Sequence, residues 1–158
     1  MKFAFLTIFS MLAALAGFSQ SMPPVDSVRL ATAEDYRIAE PIALQVSNYI
    51  LSTPTDEKSL SRLNGTKFLL DWMGGTPDYT FDLDKDVIKY FEKDIDLMGV
   101  YTASLTASAI ENKSVKDSKT LTALAVKKFI AYISDGNNKV DLNSRLKKMI
   151  EVNQSGAN

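Results

Sequence analysis

The sequence predicts an all-α fold, a single compact irregular bundle of five to six short helices. Three observations carry this. Apolar residues recur at spacings of three and four over several stretches, which is the periodicity of one helix face. Proline, glycine and polar loops keep those stretches short. No stretch shows the alternation of a half-buried strand, and there is no internal repeat. The chain has 158 residues, 46% of them hydrophobic and 23% charged, as in one globular domain.

Lys2 is the one positive charge ahead of a mostly apolar run, Phe3 to Gly17, followed by small residues. This is the pattern of a secretory signal peptide over residues 1–19. The run is shorter than the roughly 20 residues that cross a bilayer comfortably. Cleavage is expected after Ser19, with Ala16 as the alternative. No second apolar segment follows, so the product is expected to be exported, periplasmic or extracellular, with no membrane insertion after cleavage.

Residues 20–31, with Pro23 and Pro24, read as an extended or mobile leader, and residues 32–153 as the helical domain. Thr32 is expected to cap a short helical turn through Ile38, complemented by Asp35. Pro41 suits the first turn of the next helix, where its missing N–H costs nothing. Ile42, Val46, Tyr49 and Ile50 share one face of that helix, and Pro54 stops it. The following helix begins at Thr55 or Asp56, with Leu60 and Leu63 on one face. Its far end (Phe68, Leu69, Leu70, Trp72, Met73) is apolar in nearly every direction and needs cover on several sides. Gly74 is expected to end it in the left-handed conformation, and Pro77 to prevent its resumption.

Asp82 or Asp84 caps a short helix bearing Val87, Ile88 and Phe91. Ile95 to Glu111 reads as a longer helix with two stripes. One is bulky (Leu97, Met98, Tyr101, Leu105), and the other is small (Gly99, Ala103, Ala107) and admits a neighbouring backbone closely. Such a helix belongs at the centre. After a polar loop, Leu121, Ala125, Val126, Phe129, Tyr132 and Ile133 form the apolar side of the next helix, closed by the Asp135-Gly136-Asn137-Asn138 turn. Asp141 or Asn143 opens a last helix, with Leu142, Leu146, Met149 and Ile150 inward and Arg145, Lys147 and Lys148 outward. Residues 154–158 read as a flexible tail.

Function is constrained mainly by what the chain lacks. A net charge of −1 offers no basic field for nucleic acid or an anionic membrane surface. With no cysteine there is no disulfide framework, thiol nucleophile or thiolate metal site, and with no histidine the commonest general base and metal ligand is missing. Catalysis would have to rest on Asp, Glu, Lys, Tyr, Ser or Thr. No catalytic constellation, metal set or cofactor motif is recognisable.

Asp82, Asp84 and Asp86 begin like a calcium loop, but Val87 and Lys93 stand where that loop wants Gly and Glu. They read better as the negative start of a helix. Asp71 reads as a surface carboxylate paired with Lys67 one turn earlier. Residues 68–81 hold the only tryptophan and the only Gly-Gly pair. Trp72, Asp78, Tyr79 and Phe81 are therefore the candidate ligand- or partner-binding residues, for an envelope protein, a peptide or a glycan. The competing reading makes Trp72 core. Asn64-Gly65-Thr66 matches the N-glycosylation pattern, inside an expected helix.

Asn48-Tyr49-Ile50-Leu51-Ser52-Thr53-Pro54, with Trp72-Met73-Gly74-Gly75-Thr76-Pro77-Asp78-Tyr79, resembles a group of small exported helical proteins of Bacteroidota. The likeness covers about Glu40 to Asn153 and implies export and a helical domain, with no activity. Asp26-Ser27-Val28 is similar to the short site at which that phylum attaches O-glycans, which makes Ser27 a candidate. Residues 81–112 are more distantly similar to periplasmic acid-stress chaperones and secretion-immunity proteins, which use paired cysteines absent here. The expected function is a non-catalytic binding or interaction module, with an envelope-polymer hydrolase or lyase and a periplasmic stress chaperone as alternatives.

Overall fold

The computed structural model describes residues 21–155; the expected signal peptide over residues 1–19, its expected cleavage position and residues 156–158 lie outside them. Among the described residues there are six α-helices and no strand: α1 (Ala33–Ser52), α2 (Leu60–Gly75), α3 (Lys85–Ile88), α4 (Ile95–Glu111), α5 (Ser118–Ser134) and α6 (Ser144–Ser155). A 3-10 turn at Gly136–Asn138 follows α5. The expected all-α bundle is what forms.

α4 is the central post. Every residue from Gly99 to Ile110 is buried, because α1, α2 and α5 all pack on it. Its small stripe has the expected use. A Cβ at Gly99 would fall 2.4 Å from the Thr66 hydroxyl oxygen, so α2 and α4 approach through that glycine. On the opposite side Tyr101 joins Phe91 and Phe129 in an aromatic cluster with centroids 4.6–5.9 Å apart. The α5 residues expected inside are all buried, as are Leu146 and Met149 of α6.

Four expectations need correction. First, α1 is continuous through Pro41. Thr32 does cap it, in a capping box with Asp35, but no second helix starts at Pro41. Ala39, Ala43, Val46 and Ile50 form one buried stripe across the proline, and that burial outweighs the hydrogen bond which proline cannot donate.

Second, α2 starts at Leu60, capped by Ser59, not at Thr55 or Asp56. Leu60 and Leu63 are exposed, and the buried face carries Arg62, Gly65, Thr66, Phe68, Leu69 and Trp72. An ion pair from Arg62 into the interior sets this phase. Third, Gly74 is not left-handed, since no glycine has a positive φ among the described residues. α2 runs on through Gly75, where a Cβ would collide with the Tyr36 ring.

Fourth, the leader is extended but lies on the domain: Met22, Val25, Val28 and Leu30 are partly buried against the core. No helix among the described residues is long and apolar enough to cross a membrane.

Candidate functional site

The aromatic stretch from α2 into the following coil folds onto itself. Trp72 is wholly buried, and its indole N–H donates to the Tyr36 carbonyl at 2.9 Å. Tyr79 and Phe81 pack against it at 5.8 and 6.2 Å between centroids. The coil is then tied down by charge. Arg37 grips Asp78 with two hydrogen bonds of 3.0 and 3.3 Å. The Tyr79 hydroxyl donates to Glu40 at 2.8 Å, and Lys113 holds the other Glu40 oxygen. Lys116 sits 5.5 Å above the Tyr79 ring. Burial, with Glu40 beside it, pushes the Tyr79 phenol well above its ordinary value.

The structure thus brings Trp72, Asp78, Tyr79 and Phe81 together, but as a strap closed over the end of α2. Trp72 has no surface to offer a ligand, and the polar atoms of Asp78 and Tyr79 already have partners. Their nearness is legible in sequence. Their partners Arg37 and Glu40 are not, lying 41 and 39 positions from Asp78 and Tyr79, and Lys113 lies 73 positions from the Glu40 it holds.

An open groove lies beside this strap. The leader crosses α2 and leaves a cleft of about 570 Å3 between them. Val25, Val28 and Leu30 form its leader side, and Phe68 and the Tyr36 ring its apolar floor. Asn64, Lys67 and Asp71 project into it from successive turns of α2. Lys67 and Asp71 make the expected exposed ion pair. Ser27 is exposed at the tip of the turn closed by Val28 N–H and the Val25 carbonyl. Asn64 is exposed, but Thr66 of the same tripeptide is buried against α4.

This groove was not visible in the sequence, because its two walls are a leader read as extended or mobile and a helix face read as surface. Its chemistry is one aromatic ring, an amide, an ammonium–carboxylate pair and aliphatic edges. Asp26 also lines it. Both carboxylates are solvated, whereas a general acid at neutral pH needs a desolvated one.

A second hollow, of about 300 Å3, opens where α2 meets the start of α4. Its floor is the Arg62–Asp96 pair, 2.7 Å apart and almost fully buried. Arg62 also donates to the carbonyls of Ile50 and Thr53, and Asp96 accepts the Asp56 N–H. Elsewhere, Asp84 caps α3 and Asp86 pairs with Lys89, so the aspartate run serves a helix start. Among the described residues no group of three His, Cys, Asp or Glu is placed to hold a metal. Comparisons with models of known families, with curated proteins and with solved structures give no match.

Proposed function

We propose that the protein is an exported, non-catalytic binding module that holds a short envelope oligosaccharide in the groove between the leader and α2. The observation behind this reading is the groove's lining. The Tyr36 ring suits the C–H face of a sugar, while Asn64, Lys67 and Asp71 supply donors and acceptors for hydroxyls at one-turn intervals. Export rests on Lys2 and the apolar run after it.

The enzyme alternative would use Asp26 and Asp71 as an acid–base pair. It is disfavoured because both are solvated and Asp71 is already neutralised by Lys67. The test is binding of the purified protein to an oligosaccharide array, alongside an Asn64→Ala/Lys67→Ala variant. Both side chains are exposed, so the fold should persist. Binding by the wild type and loss in the variant is the expected result. Equal binding by both, or none by either, overturns the reading. Release of reducing ends from a bound glycan would favour the hydrolase.

A further inference from the structure

The hollow where α2 meets α4 is lined by an uneven set of charges. Asp56, Glu57 and Asp96 bring three carboxylates, against Lys93 and Arg62. Arg62 turns its charge elsewhere. Its Nε donates to Asp96, and its other bonds go to Ile50, Thr53 and Tyr132, none of which lines the hollow. Asp56 and Glu57 are exposed and, like Lys93, belong to no ion pair among the described residues. Since Arg62 and Asp96 cancel, two acids face one base, and the hollow carries an excess negative charge.

Acceptors remain free inside it. Thr66 lines the hollow and is 9% exposed, and its hydroxyl oxygen, which lies over Gly99 of α4, has no hydrogen-bond partner among the described residues. A hydroxyl held away from bulk water without a partner is destabilising, so a donor that reaches Thr66 gains by satisfying it. Asp96 has lone pairs to spare, since each of its oxygens accepts one bond. Leu63 and Ile95, 51% and 73% exposed, add aliphatic walls. Free acceptors, aliphatic walls and an excess negative charge together suit an ammonium on an aliphatic stem. The volume, about 300 Å3, is at the lower end for small-molecule sites and limits that stem to a few carbons.

We propose that the hollow is a binding site for a small primary alkylamine. Thr66, Asp96 and Asp56 hold the ammonium, and the stem lies against Leu63 and Ile95. Glu57 adds attraction from the rim, while Lys93 opposes it. The hollow shares no lining residue with the groove beside the leader, and the amine site does not rest on the sugar assignment.

The test is an NMR titration of the labelled full chain with pentylamine, with pentanol and pentanoate as probes of equal stem and different head. Amine shifts are expected at the backbone amides of Asp56, Leu63, Thr66 and Ile95, saturating with a Kd of about a millimolar. Pentanol should bind more weakly and pentanoate not at all. Asp56→Asn and Glu57→Gln should each weaken the amine about two- to fivefold, and Lys93→Ala should tighten it by a similar factor. Thr66→Val keeps the shape and removes the unpartnered hydroxyl, so it should melt no lower than the wild type yet bind about tenfold more weakly. Silence at these amides, pentanoate binding as tightly as the amine, or weaker amine binding by Lys93→Ala overturns the site. Wild-type affinity in Thr66→Val overturns the placement of the ammonium.

Discussion

Arg62 and Asp96 are joined inside the bundle, Nε to Oδ1 at 2.7 Å, with side chains 4% and 6% exposed. The pair links α2 to α4, and through the Ile50 and Thr53 carbonyls it also holds the end of α1. It explains why α2 presents an arginine inward and leucines outward.

Breaking it from one side strands a buried charge. Arg62→Met and Asp96→Asn should each cost about 3–5 kcal/mol. The double variant should cost clearly less than the sum, because neither charge is then left alone. Urea titrations with an unchanged slope would measure this. Additive costs would mean that the two residues act separately.

The two glycines at the end of α2 should respond in opposite directions. Nothing lies within 4 Å of a Cβ at Gly74, so Gly74→Ala should stabilise by about 0.5–1 kcal/mol through helix propensity. At Gly75 the same change meets the Tyr36 ring and should destabilise by about 1–3 kcal/mol. Thermal unfolding of the two variants gives the comparison. If Gly75→Ala also stabilised, the close Tyr36 contact would be excluded.

Pro41 is exposed in the middle of α1. Pro41→Ala restores a helical hydrogen bond and opens no cavity, so it should add up to about 3 kcal/mol, less the entropy that proline removes from the unfolded chain. A destabilised variant would show that α1 breaks at this residue.

Stability should fall on the alkaline side. Burial raises the phenols of Tyr79, Tyr101 and Tyr132 above their ordinary 10.0. A raised folded-state pKa contributes stability that is complete below the unfolded value and lost as pH climbs toward the folded one. Unfolding should therefore begin above about pH 10. On the acid side, burial opposes ionisation of Asp35, but hydrogen bonds from Thr32 and Ala31 outweigh it and hold its pKa below 3.8. Its capping contribution is present above that value and fades below it. The sequence has no histidine, so the melting temperature should stay flat from about pH 5 to 9. A step near neutrality would contradict this.

The parts of the fold readable from sequence are those where burial follows simple periodicity. α4 is legible from Ile95 to Glu111 because one bulky apolar stripe and one small stripe run along it with no charged residue after Asp96 until Glu111. α5 and α6 followed from single clean stripes. Pro41 misled because local propensity argues for a boundary while the alanines on either side of it carry a longer stripe. Leu60 and Leu63 misled because a hydrophobic count assigns leucine inward, and no count anticipates that arginine takes the inner face.

The candidate site was legible only in half. Trp72, Tyr79 and Phe81 are recognisable as a cluster because they are neighbours in sequence, but Trp72, a binding candidate with core as the competing reading, proves to be core. The groove depends on Val25–Leu30 meeting Asn64–Asp71. No short-range pattern reports a contact across that separation.

The most direct test of the binding account is an NMR titration of the labelled protein with an oligosaccharide retained on the array. The account predicts shifts concentrated at the backbone amides of Val28, Asn64, Lys67 and Asp71 and at the Asn64 side-chain amide, saturating with ligand and absent in Asn64→Ala/Lys67→Ala. Shifts confined to Tyr79 and Phe81, or spread over the Leu63 and Ile95 face with the groove silent, would contradict it.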